Sequence, residues 1–390
     1  MADNHIKKQY NEQATKNLVK ALNDRLTGEK STARLGDIRD ALEQGADPNI
    51  TLEDGQSFLE SFVQMMSKNG EHDMHDVVIY RQLIKAGLTI DKQSPVLQYV
   101  VPTENGNLMH LLIEHGANPA AIAKKDRNET GLIIVEGDNT LHVTARNDDA
   151  DYRDMTEVAL QADSTYHHYV TANAINAQNK HGETPLYIAV SKNKPHIIDR
   201  FVGLGADYRK TFNPTNNPLG KPHNLMELAN SNIRQAKKEL GNFEKGFGLD
   251  KLSEQQKQEK LHDNTDRYLT SRWSSLIDDV KHSEEVLTKL QEAPHTVVTY
   301  LTFAMDDAVE NHSNVNLRKL TRELAPHQLD RNQDGKVDPD IQRAMKQYLA
   351  KVQDKGDPHK ALRGVVGQEV KHTSSPGNIP QTTPEKTPRR

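Results

Sequence analysis

The 390-residue chain contains no cysteine, which excludes disulfides, thiolate metal sites and cysteine nucleophiles. Aromatic residues make up only 5% and hydrophobic residues 35%, a composition typical of long helical proteins with much surface. No apolar run approaches the roughly 18 residues that span a bilayer, and the N-terminal sequence lacks the apolar stretch of a secretory signal peptide. A net charge of −5 gives no basic field for nucleic acid. We therefore expect a cytoplasmic, monomeric protein of two or three domains that neither inserts into membranes nor binds nucleic acid.

One segment, Gly182–Lys210, combines a helix N-terminus signal, two short helices and a glycine that ends the second helix. Thr184 can cap the first helix, and Pro185 suits its first turn because the missing N–H is not needed there. Gly205 ends the second helix, because glycine adopts the left-handed conformation without steric cost. The apolar stripe of this second helix consists of Ile197, Ile198, Phe201, Val202 and Leu204.

The same construction recurs along the chain, as expected for a repeat of 20–50 residues. Helix stripes closed by a glycine occur at Leu35–Asn49, Tyr80–Asp91 and Leu108–Pro119, and the closing glycines are Gly45, Gly87 and Gly116. Segments similar to the front half begin at Glu53, Glu136 and Leu219. A stack of such units would bury apolar stripes that one helix pair cannot bury alone.

These segments resemble the ankyrin repeat, which consists of a β-turn and two helices with a Thr-Pro-Leu-His-x-Ala motif. The resemblance is strongest at Gly182–Asp207, where Tyr187 replaces the usual histidine, and it covers about five repeats and a partial one. It implies an all-α fold, an ankyrin-repeat solenoid followed by a small helical domain. An irregular helical solenoid of another kind is the alternative.

The resemblance also implies a concave wall of finger tips and first-helix side chains that binds another protein. The positions on this wall are Glu53, Asp54, Gln56, Gln64, Glu136, Asp138, Arg146, Asn147, Lys180, His181, Glu183, Ser191 and Lys192. The alternative for each one is a solvated side chain without a partner. No phosphate loop, nucleophile elbow, His-Glu-x-x-His or kinase motif is present, so no catalytic residue is predicted.

The sequence suggests four regions. Residues 1–26 form an N-terminal helical cap, residues 27–230 the ankyrin repeats, residues 231–352 a helical domain and residues 353–390 a disordered tail. The tail is rich in Pro, Ser and Thr and cannot bury enough apolar surface to fold alone. Trp273 is expected in the core of the helical domain, because the apolar residues around it follow helical spacing.

Within that domain, loop 330–341 resembles an EF-hand calcium loop. The candidate ligands are Asp330, Asn332, Asp334, the Lys336 carbonyl, Asp338 and Asp340. Ile341 stands where the bidentate glutamate belongs, so we expect weak calcium binding with Asp340 as a substitute ligand. The alternative is a structural turn in which Asp338 caps a helix that starts at Pro339.

Three functions follow from these features. The chain is interpreted as an adaptor or effector that binds a partner protein through the concave face of its repeats. The alternatives are a host-targeted enzyme, whose C-terminal helical domain acts on a repeat-bound partner, and a calcium-responsive regulator. The divergent repeats and polar tail are similar in style to the ankyrin-repeat effectors of intracellular bacteria. This similarity implies secretion into the host cytosol and a role in virulence.

Overall fold

The computed structural model describes residues 10–26, 35–53, 55–69, 74–101, 106–129, 132–146, 174–203, 205–262, 267–310 and 337–351. These residues are mostly helical with little strand, which confirms the expected all-α class. The chain divides into two compact units, residues 1–293 and 294–390. The first unit therefore extends past residue 230, the position at which the sequence suggested the end of the repeats.

The helices in chain order are α1 (Glu12–Leu26), α2 (Leu35–Glu43), α3 (Phe58–Asn69), α4 (Met74–Ala86), α5 (Val96–Val100), α6 (Gly106–Glu114), α7 (Thr140–Arg146), α8 (Pro185–Ser191), α9 (Pro195–Gly203), α10 (Leu225–Gly246), α11 (Glu254–His262), α12 (Arg267–Glu310) and α13 (Pro339–Lys351). Two antiparallel hairpins accompany them. Strands β1 (Arg127–Glu129) and β2 (Leu132–Ile134) pair between α6 and α7, and β3 (Thr211–Phe212) and β4 (His223–Asn224) pair before α10.

The helices of the first unit stack in rows. The first row consists of α1, α3, α5, α7, α8 and α10, and each helix contacts the next one in this order. A second row, α2, α4 and α6, follows the same neighbour-to-neighbour order. Contacts of α1 with α2, of α5 with α6 and of α8 with α9 pair helices that are consecutive in the chain. The apolar stripes are therefore buried between neighbours, and Phe58, Phe62, Tyr80, Tyr187 and Phe201 are among the largest fully buried side chains.

Four helices, α2, α4, α6 and α9, are followed by the same closing turn. Their glycines, Gly45, Gly87, Gly116 and Gly205, have φ of 89°, 101°, 103° and 100°. At the last of them, Gly205 N–H donates to Val202 O at 3.1 Å and Ala206 N–H donates to Phe201 O at 2.8 Å. The same pair of bonds follows each of the other three helices. This is the Schellman arrangement that satisfies the last carbonyls of a helix, and it confirms the predicted role of these glycines.

Five of the six first-row helices, all except α5, begin at capping side chains. Thr184 Oγ1 accepts from Tyr187 N–H at 3.2 Å, and Pro185 occupies the first helical position, as predicted. The side chains of Asn11, Ser57, Asn139 and Asn224 accept in the same way from the N–H three residues later. One backbone donor that the helix leaves open is thereby satisfied at each start.

The residue three positions after the N-cap, N3, also links its helix to the next first-row helix. We call these four contacts the N3 links: Ser94 Oγ to Glu60 Oε1 at 2.6 Å, Gln98 Nε2 to Asp138 O at 2.7 Å, His142 Nε2 to Glu183 O at 3.1 Å, and Tyr187 Oη to His223 Nε2 at 3.2 Å. In every case the partner directly precedes the next N-cap. Four different side chains thus make the same connection between successive helices of the row.

The helices after residue 230 form a further core in the first unit. Trp273, 6% exposed, packs with the buried Leu249, which confirms its predicted core position. Glu244 Oε1 accepts from Trp273 Nε1 at 3.1 Å and from Lys257 Nζ at 2.8 Å. Helix α12 also reaches α9, through an ion pair between Lys289 and Asp199. Helix α12 therefore contacts both α10 and α9.

The second unit contains the last part of α12, from Pro294, and α13. His295 Nε2 and Gln347 Oε1 lie 2.7 Å apart and connect the two segments. Asp338 directly precedes α13, its side chain is buried, and its carbonyl accepts from Gln342 N–H at 2.9 Å. This is the N-cap position that the turn-and-cap alternative requires. Asp330, Asn332, Asp334 and Lys336 lie outside the described residues.

Candidate protein-binding surface

Three loops precede the last three first-row helices and lie side by side. We call them finger 1 (residues 121–129 and 132–139), finger 2 (residues 176–184) and finger 3 (residues 207–224). Finger 1 contains the β1–β2 hairpin, and its base is paired through Ala123 N–H to Asp138 O at 2.7 Å. Lys180 N–H of finger 2 donates to Glu136 O of finger 1 at 2.9 Å, and Thr215 N–H of finger 3 donates to His181 O of finger 2 at 3.0 Å. Backbone hydrogen bonds therefore join the three fingers.

A buried polar cluster lies at the junction of fingers 1 and 2. Asp138, whose side chain is 0% exposed, forms an ion pair with Arg146, 8% exposed, at the end of α7. Asn179 Nδ2 donates to Asp138 Oδ1 and to Glu183 Oε2, both at 3.0 Å. Val135 N–H gives the Asp138 carboxylate a further bond at 2.7 Å.

The wall positions Asp138 and Arg146 are thus placed differently from the expectation. Their charges face each other inside the structure rather than a partner. The reason is that Asn179 and the backbone of finger 1 complete a set of polar contacts around the Asp138 carboxylate. Glu183 belongs to the same cluster but keeps 19% of its side chain exposed.

A second bridge between the same fingers is exposed to solvent. Lys180 forms an ion pair with Asp126, and Glu136 N–H donates to Asp126 Oδ1 at 2.8 Å. These two hydrogen bonds lower the pKa of Asp126 below its ordinary value, and the bond from Lys180 has the larger effect. The side chain of Glu136 itself is exposed, so it is available on the surface of finger 1.

A third group of wall residues connects α3 to finger 1. The side-chain amides of Gln56 and Gln64 lie 3.0 Å apart, and Arg127 Nη1 donates to Gln64 Oε1 at 3.1 Å. The guanidinium of Arg127 also lies over the ring of Tyr99, 5.2 Å from its centroid. Arg127, which the sequence did not single out, thus contacts Gln64 beside Gln56.

The remaining wall positions are separate from these clusters. Glu53 and Lys192 are exposed and His181 is half-buried. Ser191 Oγ donates to Ile188 O at 2.9 Å within its own helix. Asp54 and Asn147 lie outside the described residues.

Sequence reasoning missed His142, which stands beside the polar cluster. Burial lowers the pKa of its imidazole to about 4, against an ordinary value of 6.5. The available signal was its position in the "EGDNTLHVTA" segment, which matches the histidine of the Thr-Pro-Leu-His-x-Ala motif. At the matching position of the next helix, burial raises the pKa of Tyr187 to about 12.

Within the described ranges, no helix is long and apolar enough to cross a membrane. In the same part of the chain, no group of three His, Asp or Glu side chains could hold a metal ion. No family model and no curated protein matches the chain. Its function is therefore inferred from its own contacts and charges.

Proposed function

We propose that this chain is an ankyrin-type repeat protein that binds a partner protein through fingers 1–3 and the neighbouring first-row surface. The repeat interpretation is supported by three devices that recur along the chain. These are the closing turns at four glycines, the capping side chains and the N3 links. Each device ties one unit to its own turn or to the next unit, as expected for a stack held by nearest-neighbour contacts.

The observation that carries the binding proposal is the bracing of the fingers. Fingers 1 and 2 share the Asp138–Arg146–Asn179 cluster and the Lys180–Asp126 pair, and fingers 2 and 3 share a backbone hydrogen bond. Loops that are held in place before binding lose less conformational freedom when a partner docks. Such bracing favours a preformed binding surface over solvated loops without a role.

The structure also changes the residues that we assign to this surface. The exposed positions Glu53, Glu136, Lys180 and Lys192 stay in it, whereas Asp138 and Arg146 support it from beneath. Ile133 on strand β2 adds an apolar side chain that is 43% exposed beside these charges. Apolar side chains surrounded by polar ones are the usual composition of a protein interface.

The test is affinity capture in which the full chain is the immobilised bait and a eukaryotic cell lysate supplies the candidate partners. A eukaryotic lysate is used because the similarity to effectors makes a host protein the proposed partner class. A surface variant combines Glu53→Lys, Glu136→Lys and Lys192→Glu. We expect this variant to lose the proteins that the wild type retains, because three exposed charges are reversed at positions that contribute little to stability.

A matched control carries the same types of charge change on the second row. It combines Glu43→Lys on α2, Lys85→Glu on α4 and Glu114→Lys on α6, all exposed. The control should retain every protein that the wild type captures, with an unchanged melting temperature. Equal retention by both variants would place the interface elsewhere, and equal loss would indicate a nonspecific charge effect.

A further inference from the structure

Arg127 on strand β1 lies in a site that three side chains build around its guanidinium, beside α3 and α5. Gln64 Oε1 accepts from Arg127 Nη1 at 3.1 Å, and the guanidinium lies over the Tyr99 ring, 5.2 Å from its centroid. The Gln56 amide, with its oxygen toward the guanidinium, accepts from Nη1 at 2.9 Å and also from Nη2. We propose that Gln56, Gln64 and Tyr99 form a binding site for an arginine side chain of the partner protein. In the free chain, Arg127 fills this site.

The chemistry of the three side chains suits a guanidinium better than an ammonium. A guanidinium is planar and presents five N–H donors in a fixed fork, so it can donate to both amide oxygens while one of its faces covers the Tyr99 ring. The ammonium of lysine is a compact, strongly hydrated charge without a flat face. The site therefore favours arginine over lysine.

Neutral groups alone hold Arg127 in this site. Among the side chains that the structure describes, none that contacts Arg127 carries a negative charge. Lys180 on finger 2, in contrast, is paired with Asp126. Arg127, Gln56 and Gln64 are half-buried, so the site borders the solvent. An arginine of a partner can take over each of these contacts, and the exchange breaks no ion pair among the described residues.

The contact also reaches further along the first row than the links that hold the stack. An N3 link ties α5 to finger 1 through Gln98, which donates to a backbone carbonyl of that finger. Arg127 extends from the same finger past α5 to Gln64 on α3. Contacts between immediate neighbours thus hold the stack without Arg127. The alignment to the repeat places Gln56 and Gln64 on the concave wall, where a partner would dock.

This assignment rests on the proposed function and names a side chain that the first-row surface receives. Because Arg127 competes for the site from within the same chain, the site is open for only a fraction of the time. The apparent Kd of a partner's arginine is raised by the inverse of that fraction. Arg127→Ala removes the competition, so this variant should bind an arginine side chain more tightly than the wild type does.

The test uses the full chain with isotope-labelled glutamine and a small probe, Nα-acetyl-arginine methylamide. In NMR spectra of Arg127→Ala, the probe should cause saturable shifts of the Gln64 side-chain amide, with a Kd at least about tenfold lower than in the wild type. Nα-acetyl-lysine methylamide should cause no saturable shift at the same concentrations. The matched control is Lys124→Ala, which removes an exposed cation of the same finger outside the site and should respond as the wild type does.

Two further variants test the site itself. Adding Gln64→Ala to Arg127→Ala should abolish the shifts, which are then followed at the Gln56 amide. Arg127→Lys keeps the charge of finger 1 but lacks the guanidinium fork, so it should also bind the arginine probe more tightly than the wild type. This second variant keeps the proposal testable if Arg127→Ala fails to fold.

The proposal is overturned if neither Arg127 variant shows saturable shifts, because Arg127 is then only a brace of the hairpin. Equal responses to the arginine and lysine probes, or an equal gain in Lys124→Ala, would indicate general attraction of cations and would also overturn it. The probe replaces the partner, so this test is independent of the lysate capture. Captured proteins without arginine binding would count against the site alone, and arginine binding without captured proteins would count against the proposed function alone.

Discussion

The side-chain amide of Asn176 donates a 2.8 Å hydrogen bond to the carbonyl oxygen of Gly205, the glycine that closes α9. Its Oδ1 accepts a second 2.8 Å bond from Asp207 N–H. Asn49 makes the same pair with the Gly87 carbonyl at 2.9 Å and with the N–H two residues later at 2.7 Å. One asparagine thus fixes the closing turn of the unit that follows it.

At the start of the chain, helix α1 takes this role. Asn11 N–H donates to the Gly45 carbonyl at 2.8 Å, and Thr15 Oγ1 accepts from Asp47 N–H at 2.9 Å. The outward residues of α1 are polar and exposed, among them Glu12, Lys16 and Lys20. A polar outer face is what the terminal unit of a stack requires.

Replacing Asn176 should destabilise the protein. Asn176→Ala removes both side-chain hydrogen bonds, so the Gly205 carbonyl and the Asp207 N–H in this part-buried turn lose their bonds to Asn176. This loss should lower the free energy of unfolding by about 1–3 kcal/mol. The matched control is Asn216→Ala, at an exposed position of finger 3, which should stay within about 0.5 kcal/mol of the wild type. Urea unfolding measures both, and equal midpoints for the two variants would contradict the role of Asn176.

Gly137 allows fingers 1 and 2 to approach each other. It has φ of 85°, and a Cβ at this position would lie 3.0 Å from Asn179 Cα and 3.2 Å from Lys180 N. Gly137→Ala should therefore cost both the left-handed strain of about 1–2 kcal/mol and a similar amount for the clash.

Gly55→Ala is the control for this substitution. Gly55 has a similar φ of 80°, but nothing lies within 4 Å of the added Cβ. Gly55→Ala should lower the free energy of unfolding only by the left-handed backbone strain. The difference in free energy of unfolding between Gly137→Ala and Gly55→Ala therefore measures the contact between fingers 1 and 2. If both variants unfold at the same denaturant concentration, the fingers are not tightly packed.

The closing glycines and the Thr184 cap could be predicted from the sequence, because glycine and threonine satisfy the backbone of their own turn. The N3 links could not. Glu60, Gln98, His142 and Tyr187 share no chemistry that marks them as one position in the repeat. Each finds its partner about 35–40 residues further along, so only the stacked structure reveals the connection.

The wall residues illustrate the same limit. Alignment to the repeat placed Asp138 on the surface, and exposed neighbours such as Glu136 fit that expectation. The partners that bury Asp138 are Arg146, at the end of the following helix, and Asn179, on the next finger. Such non-local charge pairing has no signature in the spacing of a single unit.

Glu244 is expected to hold the C-terminal core of the first unit together. Its Oε1 accepts from Trp273 Nε1 and from the buried Lys257 Nζ, whose other carboxylate partner, Glu254, is exposed. Glu244→Gln weakens the charge pairing of a buried ammonium, so we expect a loss of about 1–3 kcal/mol.

Trp273 is the only tryptophan of the chain, so its fluorescence reports on this core directly. Glu244→Gln should shift the emission and lower the unfolding midpoint. Glu239→Gln, at an exposed position of the same helix, should change neither by a measurable amount. An unaltered emission spectrum in Glu244→Gln would show that the contact to Trp273 does not depend on the carboxylate.

The last prediction separates the two roles proposed for the EF-hand-like loop. Asp338 is buried at the N-cap of α13, so Asp338→Ala should cost about 1 kcal/mol in calcium-free buffer. Calcium binding by the loop, for which we expect a Kd of about 10⁻⁴ M or weaker, would add up to about 2.7 kcal/mol at a hundredfold excess over Kd.

A combined Asp330→Ala and Asp334→Ala variant should keep the calcium-free stability and lose the calcium-dependent gain. Thermal melts of the full chain in chelator and in millimolar calcium measure both effects. If wild-type melting is the same in both buffers while Asp338→Ala melts lower, the loop is a turn and a helix cap without a calcium site.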